Sequence, residues 1–194
     1  MMNKIFYKHY VFLEEINDFI KENLLKFSNI NIIIDINDNT GKNFENQLSI
    51  IKFAKKNRIP FLIKNDFQKS VKYKANGVLL SFDNKKITKP ILLKKNFSIV
   101  GSVHNQLEYS KKLDQKCHLL ILSPLFFNEK YSKNKILNIL KFNSTTIDWK
   151  INLCALGGIN SKTLKKVKLT KSVAIGFKKI ISRSKIKKPA YNLM

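Results

Sequence analysis

The chain has 194 residues and a formal charge of +24, from 37 Lys and Arg against 13 Asp and Glu. That length suits one well-filled core, and no Pro/Gly/Ser-rich linker or low-complexity tract divides it. A 44% apolar and 11% aromatic content excludes a disordered basic chain, and no run approaches the roughly 18 apolar residues of a membrane span.

The N-terminal stretch MMNKIFYKHYVFLEE has no apolar segment followed by a small-residue cleavage site. A soluble cytoplasmic protein is therefore expected, one domain over residues 1–194 with a basic tail at 182–194. Nearly all the cations are Lys, with Arg only at Arg58 and Arg183. Arg is the better tool for bidentate phosphate and base contacts, so a nucleic-acid partner is not expected. The abundance of Lys, Asn and Ile fits a coding preference for A and T, and an anionic small-molecule substrate is a second reason for positive charge. Cys117 and Cys154 lie in apolar runs without metal-ligand spacing and read as reduced core residues.

Along the chain, short β-branched and aromatic runs occur at 5–12, 30–36, 60–63, 77–80, 97–100, 118–122, 151–156 and 172–175. Most are continuously apolar, as parallel strands buried on both faces are. Between them, Phe12, Ile16, Phe19, Ile20, Leu24 and Phe27 recur at helical spacing, as do Phe44, Leu48 and Ile51, and later Leu164 and Val167. The segment between Leu80 and Phe97 has little room for a helix. Eight alternations of strand and helix in one domain predict the α/β class and a compact (β/α)8 TIM barrel, with a doubly wound sheet as the alternative.

In either architecture ligands bind beyond the carboxyl ends of the strands. After the third run come Asn65 and Asp66, and after the fourth Asp83 and Asn84. Carboxylates at neighbouring strand ends suit a Mg²⁺ shared with a diphosphate, or are solvated loop acids. Ser102-Val103-His104 follows the fifth run. Histidine is the side chain whose proton affinity lies nearest neutrality, so His104 reads as a proton-transfer group or as a helix-start residue. His9 and His118 fall inside strands and read as structural. Gly157-Gly158 follow the seventh run, with Asn160 or Ser161 placed to cap a helix, and Gly176-Phe177 follow the eighth. Bare backbone at two adjacent strand ends makes a phosphate cradle, although Gly-Gly also makes a tight turn without any ligand.

The stretches GSVHNQLEYSKKL (101–113), LILSPLF (120–126) and CALGGINSKTLKKV (154–167), and more weakly PFLIKND with ANGVLL (60–66, 75–80), resemble the thiamine phosphate synthase and thiazole tautomerase superfamily. The resemblance implies a barrel of thiamine biosynthesis acting on phosphorylated thiazole and pyrimidine substrates. Its synthase branch joins the two with Mg²⁺-assisted release of diphosphate. Its tautomerase branch uses a Ser-Val-His histidine to shuttle a proton, and a third outcome is a barrel that binds a phosphorylated ligand without turnover. The resemblance places Gly157, Gly158, Gly176 and Phe177 on the thiazole phosphate and Ser102 on diphosphate. It gives Asn65 to substrate, Asp66 and Asp83 to the metal, and Ser123 and Asn128 to substrate contact, and it makes His104, Ser102 and Lys130 the catalytic set.

Three departures accompany it. Asp35-Ile36-Asn37-Asp38 stands where the family carries a diphosphate-embracing Arg-x-Lys. The family's metal-binding Asp falls on Asn84, one place beyond Asp83. Asn128, Lys130 and Tyr131 replace a Thr-x-Thr-Lys. Synthase chemistry is placed narrowly first on Pro124-Leu125-Phe126 and Gly157-Gly158-Ile159-Asn160. The sequence leaves the oligomeric state open.

Overall fold

A computed structural model describes residues 8–36, 40–86, 96–127 and 132–178. Eight parallel strands form in it: β1 (Lys8–Leu13), β2 (Ile30–Ile34), β3 (Phe61–Lys64), β4 (Gly77–Leu80), β5 (Ser98–Val103), β6 (Leu119–Leu122), β7 (Asn152–Leu156) and β8 (Ala174–Phe177). They pair in sequence order, and β8 returns to β1 to close the barrel, with Tyr10 opposite both Asn31 and Gly176. The (β/α)8 expectation holds.

Two of the shifts in strand boundaries bear on the mouth. β5 runs on to Val103 because Gly101 and Ser102 continue the ladder opposite Leu120 and Ile121, although neither is apolar. β8 starts late because Ser172 is held before the strand by the Thr170 hydroxyl at 2.6 Å. Gly176 and Phe177 consequently lie inside β8 and not beyond it.

Strand side chains alternate, and a closed barrel makes each strand bury both faces. Tyr10, Ile33, Leu62, Leu79, Val100, Leu119, Ile121, Cys154 and Ala174 fill the interior. The opposite set, which includes Val11, Ile32, Ile34, Ile63, Leu80, Val103 and Leu122, packs outward under the helices. Both cysteines are free and buried, and burial raises the Cys117 thiol to about 11. They are core residues, as expected.

The helices are α1 (Asp18–Leu25), α2 (Gly41–Lys56), α3 (Phe67–Lys72), α4 (Gln106–Asp114), α5 (Asn138–Thr145) and α6 (Leu164–Val167). Asn17 begins α1 by accepting the Ile20 N–H at 2.9 Å, and Ile20 and Leu24 then face the barrel. Phe12, counted with that helical period, belongs to β1. Ile50, Ile51 and Ala54 form the buried stripe of α2, and Phe142 anchors α5. Trp149 lies flat on Tyr109 of α4, ring centroids 4.3 Å apart and planes 10° from parallel, and its Nε1 donates to Gln106 Oε1 at 2.5 Å. No helix among the described residues is long and apolar enough to cross a membrane.

Gly77 opens β4 where the backbone of β5 presses closest. A Cβ there would stand 2.2 Å from the Ser98 carbonyl oxygen and 2.7 Å from the Ser98 Cβ, neither of which can swing aside. Gly77→Ala is expected to destabilise the barrel by about 3 kcal/mol, at the upper end of ordinary overpacking. Urea unfolding should show this as a lowered midpoint at an unchanged slope.

Candidate active site

Continuing the inward alternation to the carboxyl ends brings Asp35, Lys64, Ser81, Ser102 and Ser123 around one mouth, with Phe12, Leu156 and Gly176 completing the ring. Among these, the β2–β6 side is polar and the β7–β1 side apolar.

His104 stands at the mouth, one residue beyond β5, and is half-buried. Its Nδ1 lies 2.6 Å from the Ser123 carbonyl oxygen. A carbonyl only accepts, so Nδ1 carries the proton and Nε2 is the basic nitrogen of the neutral ring. Its backbone N–H donates to Glu108 Oε2 at 2.7 Å, and the Phe82 ring meets the imidazole edge-on with centroids 4.9 Å apart. Glu108 also takes the Asn105 side-chain amide at 3.0 Å, while Asn105 caps α4 by accepting the Glu108 N–H at 3.0 Å. This reciprocal cap fixes His104 to the start of a helix.

On the β2–β4 side, Asp35 is not a bare negative charge. Lys64 Nζ reaches Asp35 Oδ2 at 2.5 Å across the strand ends, with each side chain about one-third exposed, 34% in both cases. Lys69 donates to the Ile36 carbonyl at 2.8 Å. Asn65, at a φ of 56°, donates to Ser81 Oγ at 2.6 Å and accepts the Ser81 N–H at 2.8 Å. The Ser81 hydroxyl donates in turn to Asp83, which holds that carboxyl below its usual range.

Asp66 begins the next helix. Its Oδ1 accepts the Lys69 N–H at 2.7 Å and caps α3, and its Oδ2 lies 3.9 Å from Lys69 Nζ. The Asn84 amide donates to Asn65 at 3.2 Å. Among the described residues, no group of three or more His, Cys, Asp or Glu could hold a metal ion. Asp66 Oδ2 and the Asp83 carboxylate are the oxygens on this side that could hold a Mg²⁺.

Gly157 and Gly158 take φ of 99° and 65°, the region that favours glycine. The segment after β6 passes directly over them. A Cβ on Gly157 would stand 2.9 Å from Pro124 Cα, and one on Gly158 would stand 2.5 Å from the Phe127 carbonyl oxygen. Leu125 and Phe126 N–H groups donate to the Leu156 and Gly157 carbonyls at 2.9 and 3.0 Å. The paired glycines therefore have a structural reason in the β6 loop. At Gly176 the free space is taken by Leu156, whose Cδ1 would be 2.9 Å from an added Cβ. The N–H groups of Gly158 and Ile159 meet no acceptor among the described residues. Asn160 accepts from the Lys162 and Thr163 N–H groups at 2.9 and 3.1 Å, so the chain turns there as expected, although α6 itself is only four residues long.

Ser102 and Ser123 thus share the mouth with His104, Lys64 and Ser81. Asn128, Lys130 and Tyr131, like Asn37 and Asp38 and the tail 182–194, lie outside the described residues. His9 sits in β1 and bonds the Ser28 carbonyl, and His118 bonds Ser98 at the opposite end of the barrel, both away from the mouth. Sequence reasoning missed Lys112. It is fully buried on α4, and its ammonium donates to the Ser81 carbonyl at 2.6 Å, the Asn84 carbonyl at 2.9 Å and Gln115 Oε1 at 2.8 Å.

A family model described as thiamine monophosphate synthase matches residues 22–181, most of the chain. The chain belongs to the thiamine monophosphate synthase family. No curated protein matches it in sequence. Among solved structures it is similar to a thiamine phosphate pyrophosphorylase from Pyrococcus furiosus, with a TM-score of 0.69, 18% identity, and 89% of this chain covering 85% of that one. The enzyme of the same name from Bacteroides thetaiotaomicron gives a TM-score of 0.52 at 12% identity, covering 88% and 82%. An HpcH/HpaI aldolase from Desulfitobacterium hafniense gives 0.55 at 8%, covering 89% and 86%. At these identities the likeness is one of fold, and barrels of other chemistry share it.

Because Gly158 combines a positive φ with a backbone contact, Gly158→Ala is expected to expel the β6 loop. Hydrogen exchange should show the Leu125 and Phe126 amides losing protection first, while the amides of β2 and β3 keep theirs.

Proposed function

We propose that this chain acts on a phosphorylated thiazole in thiamine biosynthesis, and that His104 transfers a proton on the ring. The observation that supports this most is the Nδ1–H bond to the Ser123 carbonyl, which sets the tautomer and makes Nε2 the base. Nε2 takes a proton from a carbon of the non-aromatic ring and returns it to the far end of the conjugated system. The double bonds shift, the ring becomes aromatic, and no atom is lost. Ser102 and Ser123 line the same mouth and bind polar groups of the substrate. The Gly158 and Ile159 N–H groups receive its phosphate.

Proton transfer now ranks ahead of coupling, which reverses the order read from sequence. The reason lies at the ends of β2 to β4, where the ammoniums of Lys64, Lys69 and Lys112 stand against the carboxylates of Asp35, Asp66 and Asp83. Each of these carboxylates already faces a cation. A diphosphate arriving there must first separate Lys64 from Asp35.

One observation keeps the synthase reading as the second. Lys64 is an inward ammonium at the mouth, and exchanging Asp35 for a diphosphate would supply the cation that the family's strand-two Arg-x-Lys gives. In that reading Asp83 would help hold a Mg²⁺ bound with the diphosphate, and the ion would supply neutralising charge for the leaving group.

Deuterium exchange into a thiazole phosphate, followed by NMR, distinguishes the two. His104→Gln should slow exchange by about 10²- to 10⁴-fold, with chelator leaving the wild-type rate unchanged. Thiamine phosphate formation from a pyrimidine diphosphate, dependent on Mg²⁺ and lost in Lys64→Met, would select the synthase instead.

A further inference from the structure

We infer that Lys112 is a positioning residue for His104, acting from beneath the barrel wall through the turn that carries Phe82. The inference rests on the reading of His104 as the proton-transfer group, but its geometry stands apart from that reading.

Ser81, Phe82, Asp83 and Asn84 form a tight turn closed by the Asn84 N–H donating to the Ser81 carbonyl at 3.0 Å. The Ser81 carbonyl belongs to the peptide that leads into Phe82. Lys112 Nζ donates to that oxygen and to the carbonyl of Asn84, so one ammonium grips both ends of the turn. Gln115 takes the third ammonium proton and extends the grip, its Nε2 donating to the Asn84 and Lys86 carbonyls at 3.0 and 2.9 Å. Phe82, at the tip, is 48% exposed, and its ring meets His104 edge-on.

The ammonium's three donors are matched by three neutral acceptors, and burial holds its proton affinity below the usual lysine range. A buried ammonium costs free energy that an apolar side chain of similar length would not. What Lys supplies, and an apolar residue cannot, is directional hold on two main-chain oxygens. Gly101 makes the arrangement possible, since a Cβ there would stand 2.9 Å from Lys112 Cδ. The same helix grips His104 itself through Glu108. α4 therefore fixes the imidazole from both sides, its backbone through Glu108 and its ring through Lys112, the turn and Phe82.

The test uses the full chain and needs no substrate. NMR of the His104 ring protons in the wild type and in Phe82→Leu measures the ring-current contribution of Phe82. Lys112→Met is expected to move the same signals in the same direction by at least half as much, and the double variant to match Phe82→Leu alone. Signals of Lys112→Met at wild-type positions, or shifts that simply add in the double variant, would overturn the inference. If Lys112→Met does not fold, Gln115→Leu carries the same comparison, with a smaller shift of the same sign expected and wild-type positions again overturning it. In thiazole exchange, Lys112→Met should lower kcat with KM unchanged, and a KM effect alone would count against positioning. Should the shifts appear while the wild type exchanges no proton on the thiazole, the positioning of His104 stands and the proton-transfer reading is the one that fails.

Discussion

Closure of eight parallel strands is the constraint from which the other features follow. Once β8 pairs with β1, the sheet has no edge, and each strand must send alternate side chains into a space with a fixed volume. Tyr10, Ile33, Leu62, Leu79, Val100, Ile121 and Cys154 fill it. The same alternation, carried one step past the apolar layer, places Asp35, Lys64, Ser81, Ser102 and Ser123 together without any of them being near another in sequence. The mouth is polar because the filling stops there, and its residues are positioned by the same register that packs the core.

Around that mouth the charges are arranged in pairs. Asp35 stands with Lys64, Asp66 with Lys69, and Asp83 faces the fields of Lys64 and Lys112, in a chain that carries +24 overall. A ligand there meets donors and acceptors already engaged with one another. The imidazole beyond β5 is held differently, by the Glu108 carboxylate at the helix start and by the Ser123 carbonyl. This contrast between the two halves of the rim is the ground of the proton-transfer proposal.

The strands were legible because a buried parallel strand has to be apolar on both faces, and runs such as INIIIDI and HLLIL meet that demand openly. β5 was read three residues short because Gly101 and Ser102 have no apolar signal, although Gly101 is small so that Lys112 can pass over it. His104 and Ser102 were legible as strand-end residues. The pairing of Asp35 with Lys64 was not, since it joins positions 29 apart through a register that sequence does not print. That Asp66 caps α3 was not legible either, since the cap is seen only in the bond from the Lys69 N–H. The double glycine carried two meanings at once, and its close neighbour turned out to be the β6 loop. Lys112 was hidden in YSKKLDQK, where a lysine reads as a solvated helix face.

The stack of Trp149 on Tyr109 has a use of its own. It is the protein's single tryptophan, and it leans on α4, the helix that steadies the imidazole. Its indole nitrogen is tied to Gln106, at the opening of that helix. Loosening of α4 from the barrel must unstack this indole and admit water to it, so the intrinsic fluorescence of the untouched protein reports on the contact between α4 and the segment before β7, with no label and no second tryptophan to confuse the signal.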